Sequence, residues 1–229
     1  MVRLVLFDID GTLLNTGGAG RKAFRHALET VFGIVNGTEG VEFAGRTDTG
    51  LVRQLFTMHA IDPTRENAGR FFDAYYFWLD YILERHPGNP CPSAPEFLRM
   101  LRDLPEAPTL GLLTGNVRLG AEIKLRHFRL WEEFRTGGFG DDSEDRDQIA
   151  HVAKRRGSQL LGRELSGDEI VVIGDTPLDI ACAKAIGARS LAVATGSSPV
   201  TDLMRHHPTW AVEHLGRVTP EAICAMSSQ

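Results

Sequence analysis

The chain has 229 residues, 42% of them hydrophobic and 24% charged, with a formal net charge of −5. That length supports one large domain, or one domain carrying a smaller insertion, around a substantial core. Without a basic block a mildly acidic surface argues against a nucleic-acid partner, and Asp8 and Asp10 break the only apolar stretch near the start, so neither a signal peptide nor a membrane span is expected there.

Residues 2–7 form a short apolar run closed by Asp8, the pattern of a buried parallel strand. Helical patterns then dominate residues 16–88, over 21–32, 47–59 and 64–85. The last of these carries Phe71, Phe72, Tyr75, Tyr76, Trp78 and Leu79 at helical spacing, which reads as packing between helices rather than as a ligand platform. Pro87, Gly88, Asn89 and Pro90, with Pro92 and Pro95, mark the return to the main unit. Further strands are predicted at 109–113, 170–173 and 190–194, with helices at 118–130, 147–156 and 179–186. Trp131 and Phe134 should pack on the core. Beyond Pro199 the chain is loop-rich, with a short strand at 210–212. Strands alternating with helices specify an α/β fold, a parallel sheet covered on both faces. Its strand order cannot be read from the sequence.

The three cysteines, Cys91, Cys182 and Cys224, are too widely spaced for a zinc site and read as reduced packing residues of a cytoplasmic protein. His206 and His207 have no partners at ligand spacing and read as surface loop.

The unusual polar residues all follow strand C-termini, the edge where open α/β sheets bind ligands. Asp8-Ile9-Asp10-Gly11-Thr12-Leu13 places two carboxylates beyond a buried strand, where they repel unless a cation compensates. Oxygen ligands without histidine or cysteine favour magnesium. Thr114, Gly115 and Asn116 offer a hydroxyl and backbone N–H groups suited to phosphate oxygens, or to capping a helix. Gly174-Asp175-Thr176-Pro177-Leu178-Asp179 adds two more carboxylates and completes a plausible oxygen cage.

In this order the three segments resemble three of the four motifs of the haloacid dehalogenase-like superfamily. The helical stretch after the first is similar to the cap of its phosphoglycolate phosphatase-like and phosphoglucomutase-like branch. The resemblance implies a Rossmann-like core (residues 1–15 and 89–229), a mobile helical cap (16–88) and a magnesium-dependent phosphatase acting on a small phosphate ester. It implies that Asp8 attacks phosphorus, that Asp10 binds the metal through its carbonyl while its carboxyl handles the proton, and that Thr114, Gly115 and Asn116 orient the phosphoryl group. Asp175 would be a metal ligand, and Asp179 a ligand or a support behind one. The family's third motif usually supplies a lysine. Here residues 140–147 contain none, which leaves Arg146 as the candidate cation and Lys154, deeper in a helix, as the alternative. The acidic run around Arg146 reads as solvated loop. In the cap, Gly45-Arg46-Thr47-Asp48 resembles the branch's substrate-specificity loop, with Arg46 facing an anionic or hydroxylated substrate, or else a plain helix cap. Asn15 and Thr16 are hinge residues or a turn. A phosphomutase using the same Asp8 is the rival reading. A non-catalytic binding module of the same fold is a third, and a dehalogenase would need no acidic cage.

Overall fold

The computed structural model describes residues 1–86 and 88–225; Pro87, one of the punctuating prolines, lies outside the described residues. The chain begins with β1 (Leu4–Phe7) and β2 (Leu14–Asn15), followed by three helices, α1 (Ala19–Phe32), α2 (Asp48–Met58) and α3 (Arg65–Arg85). It returns through β3 (Asn89–Pro90) and α4 (Ala94–Arg102) to β4 (Thr109–Leu113), α5 (Arg118–His127), β5 (Thr136–Gly138) and α6 (Arg146–Leu160). The remaining elements are β6 (Ile170–Gly174), α7 (Pro177–Ala185), β7 (Arg189–Val193), α8 (Val200–Met204), β8 (Trp210–Val212) and α9 (Pro220–Cys224).

Six strands form one parallel sheet in the order β5-β4-β1-β6-β7-β8. β1 is central, and its side chains alternate between two cores. Val5 and Phe7 join Leu98, Leu112 and Ile173 on one face, while Leu4 and Leu6 join Ile149, Ala153 and Cys182 on the other. Burial on both faces explains why this strand is apolar throughout. The ladder continues past the strand ends: the Asp8 N–H donates to Ile173 O at 2.9 Å and the Thr114 N–H to Gly138 O at 3.1 Å. Asp8, Thr114 and Asp175 therefore leave the sheet at one edge.

α1, α2 and α3 have a core of their own, in which the Phe24 ring meets Phe71 at 5.1 Å and Tyr75 at 4.8 Å, edge to face. Phe71, Tyr75 and Leu79 are buried there, as the helical spacing predicts. Val117, just ahead of α5, also packs into this core. The two chain crossings lie side by side, Leu14 opposite Pro90 and Asn15 opposite Asn89, as a two-stranded antiparallel ribbon.

Three details depart from the sequence reading. α5 stops at His127, because Arg129 takes a left-handed backbone (φ 59°) and a 3-10 turn, Trp131–Glu133, follows. α4 accommodates Pro95 in its first turn, where no N–H is required. β5, Thr-Gly-Gly, is an edge strand without the apolar signal that marks the others. Trp131 and Phe134 pack partly buried against the main core, the three cysteines are free and buried, and His206 and His207 are exposed. Among the described residues no helix is long and apolar enough to cross a membrane.

Candidate active site

A cavity of about 340 Å³ opens at the C-terminal edge of the sheet and is roofed by the helical insertion. Its lining includes Asp8, Asp10, Thr114, Asn116, Arg146 and Asp175 from the sheet side, with Arg21, Arg46 and Tyr75 from the insertion.

One carboxylate oxygen from each of Asp8, Asp175 and Asp179 falls within a 4.8 Å cluster, and all three residues are buried. Burial, reinforced by Asp179 and only partly offset by Arg146, raises Asp8 to about 7. Burial and the neighbouring Asp179 and Asp8 raise Asp175 to about 8. Unrelieved negative charge among hard oxygen donors is the environment a small divalent cation relieves, so the residues fit magnesium. The Thr12 hydroxyl donates to Asp175 Oδ1 at 3.3 Å. Backbone crowds Asp175 from two sides: a Cβ at Gly11 (φ 83°) or at Gly196 would overlap its carboxylate. Asp179 is held by its place in α7, where its Oδ2 accepts from the Thr176 N–H at 3.0 Å and the Thr176 hydroxyl at 2.7 Å.

Arg146 is the first residue of α6, not a residue ahead of it, and its guanidinium reaches the acids. It pairs closely with Asp179 and lies 3.8 Å from Asp8 Oδ1, while its Nη1 donates to Gly45 O in the insertion at 3.2 Å. Burial alone would lower its pKa, but Asp179 and Asp8 outweigh that and raise it. Lys154 is elsewhere: its Nζ donates to Ile186 O at 3.2 Å.

Asp10 turns its carboxylate away from the three-acid cluster. Its Oδ2 accepts from the Lys124 ammonium at 2.6 Å and from Asn116 Nδ2 at 2.9 Å. The same ammonium donates to Asn116 Oδ1 at 2.6 Å, and Asn116 Nδ2 also reaches Thr114 Oγ1 at 2.8 Å. The Asn116 backbone N–H donates to the same hydroxyl at 3.2 Å. Lys124 is absent from the sequence reading. Its signal was there: on α5 it shares the buried face of Gly120, Ala121 and Leu125, where a charged residue is out of pattern.

The loop ahead of α2 docks onto the sheet side. The Asp48 N–H donates to Gly115 O at 2.8 Å, Asp48 Oδ2 accepts from the Val117 N–H at 2.9 Å, and Thr49 Oγ1 donates to Gly140 O at 2.8 Å. Thr47 caps the helix through Gly50 N–H and donates to Glu144 O. Arg46 is exposed at the cavity rim and donates to Gln54 Oε1 at 3.1 Å. The acidic run near Arg146 is more than solvated loop, since Asp142 holds Arg156 through two 2.7 Å bonds and Glu144 meets Arg53 at 2.6 Å. Asn15 Oδ1 accepts from the Gly17 N–H at 3.1 Å, a local turn at the crossing.

Such an arrangement defines an α/β fold with a cluster of aspartates gathered beyond its strand ends. Residues 5–193 match the haloacid dehalogenase-like hydrolase family, and the chain belongs to it. Pyrophosphatase PpaX of Bacillus pumilus is 25% identical over 220 residues, covering 93% of each chain. CbbY from Rhodobacter sphaeroides, solved with phosphate, shares the fold with a TM-score of 0.70 at 16% identity, over 94% of this chain and 95% of that one. A predicted phosphoglycolate phosphatase from Haemophilus somnus gives 0.69 at 18%, over 93% and 95%.

Proposed function

We propose that this family phosphatase hydrolyses a small phosphate ester through an aspartyl-phosphate on Asp8, with residues 16–88 as a closing cap. The observation that carries the reading is the buried three-acid cluster joined to Arg146 at the floor of a roofed cavity. Magnesium held by Asp8, Asp175 and the Asp10 carbonyl, with Asp179 as ligand or support, would neutralise charge on the transferring phosphoryl group.

In the first step an Asp8 oxygen bonds to phosphorus as the ester P–O bond breaks, and the Asp10 carboxyl gives its proton to the departing oxygen. In the second step water attacks phosphorus, its proton passes to the Asp10 carboxylate, and the Asp8–phosphorus bond breaks to release phosphate. Thr114, with the backbone of Gly115 and Asn116, orients the phosphoryl oxygens. Arg146 lines the cavity with its Nη2 3.8 Å from Asp8 Oδ1, which puts its positive charge beside the phosphoryl group that Asp8 would receive. Most of the acceleration comes from positioning and charge complementarity. Arg46 and Arg21 at the cavity wall suit a leaving group with a second anionic or hydroxyl group, in keeping with the pyrophosphatase and phosphoglycolate phosphatase names of the relatives.

The test is phosphate release from a panel of phosphorylated metabolites, pyrophosphate and p-nitrophenyl phosphate, with magnesium and then excess chelator. Release that vanishes with chelator and in Asp8→Asn supports the reading. A folded protein that releases nothing overturns it and brings the phosphomutase forward.

A further inference from the structure

Lys124 stands outside every motif, yet its ammonium is almost fully enclosed, with 4% of its side chain exposed, and it makes its two bonds inside the cavity. Burying an ammonium is costly unless its partners are fixed. Here those partners are Asp10 and Asn116, and they are themselves bonded to each other. The result is a closed triangle: ammonium to Asp10 Oδ2, ammonium to Asn116 Oδ1, and Asn116 Nδ2 back to Asp10 Oδ2.

Two donors converge on a single Asp10 oxygen, while Oδ1 has no hydrogen-bond partner among the described residues. The Asp10 side chain is 43% exposed, so these two donors weigh heavily in fixing the carboxylate plane. The ammonium also fixes Asn116, because an amide that gives its oxygen to Lys124 must turn its NH₂ toward Asp10 and Thr114.

We propose that Lys124 is a positioning residue that locks the Asp10 carboxylate by its Oδ2, so that Oδ1 alone meets the leaving oxygen and then the attacking water. This rests on the phosphatase reading above. A carboxylate free to rotate would present either oxygen and lose the geometry that proton transfer needs.

The experiment separates the two half-reactions in Lys124→Met, which keeps the apolar stem, and in Lys124→Arg. Quenched-flow mixing with p-nitrophenyl phosphate reads the first turnover, whose phenolate leaves without a proton. An alkyl phosphate reads the one that needs it. In Lys124→Met the first p-nitrophenolate should appear at close to the wild-type rate, while steady-state phosphate release falls about tenfold to a hundredfold, giving a burst near one per enzyme. First-turnover release from the alkyl ester should fall by a similar factor, with KM little changed. Lys124→Arg should recover part of the loss.

Burst and steady state falling together, or neither changing, would overturn the assignment. Where Lys124→Met does not fold by thermal melting, Lys124→Gln carries the same comparison. A wild type that releases no phosphate from any ester overturns the phosphatase reading itself, and the role of Lys124 with it.

Discussion

Asp48 Oδ2 accepts the Val117 N–H at 2.9 Å, so the first residue of α2 in the helical insertion is bonded to the turn that carries Thr114 and Asn116. If the insertion closes as proposed, this bond would couple its closure to the placement of that turn. Asp48→Ala leaves a buried N–H unpaired, at a cost of about 1–3 kcal/mol, felt mainly as a less populated closed form. We expect kcat/KM to fall about tenfold with the fold retained, and faster hydrogen exchange at the start of α2. Unchanged kinetics would show that closure does not depend on this contact.

The acids set the pH behaviour of the metal-free protein. Asp8 near 7 and Asp175 near 8 hold protons in the folded chain that the unfolded chain releases around 3.8. The folded state therefore binds more protons across that window, and its stability falls as pH rises through it. Burial raises Asp48 to about 7 against the pull of Lys124, which adds to the same trend. Scanning calorimetry in chelator should give a lower Tm near pH 8 than near pH 6.

Magnesium should oppose that trend. It competes with protons for the carboxylates, so its affinity and the rise in Tm it produces should both be larger near pH 8 than near pH 6. Titration calorimetry in buffers of different ionisation enthalpy would show the protons released. Asp8→Asn removes one repelling charge and should raise the metal-free Tm while abolishing turnover.

Arg146 joins three parts of the molecule, and its replacement should cost accordingly. Arg146→Met leaves Asp179 and Asp8 buried without their cation, which typically costs about 3–5 kcal/mol. Arg146→Lys keeps the charge but loses the fork that spans Asp179 and Gly45. It should retain measurable turnover and most of the stability, as read by urea unfolding and phosphate release.

Arg46 allows the proposed recognition to be tested apart from the chemistry. It is exposed, so Arg46→Ala should change stability by no more than about 0.5 kcal/mol. KM should rise for esters with a second anionic group and stay level for p-nitrophenyl phosphate. Equal effects on both would place Arg46 outside substrate recognition.

Much of this was legible because it depends on local pattern. Apolar runs buried on both faces identified β1, β4, β6 and β7, and the acids beyond their ends marked the edge where the cavity lies. Arg146 was legible as a cation missing from an acidic site. What escaped depends on tertiary context. β5 is Thr-Gly-Gly and owes its place to pairing with β4, not to hydrophobicity. Lys124 lies eight residues past Asn116, and only the way α5 packs brings its ammonium to Asp10. The acids of the loop before α6 look solvated until Arg53 and Arg156 are seen to meet them.

The backbone pressed against Asp175 limits how this sequence can drift. Neither Gly11 nor Gly196 carries a reactive atom, yet even alanine at either position would push the carboxylate out of place. A library of random variants screened for activity should therefore be depleted at these two glycines as severely as at the aspartates. Rim positions such as Arg46 should stay open to exchange. New specificities can then arise around the mouth of the cavity while two residues without side chains keep its floor fixed.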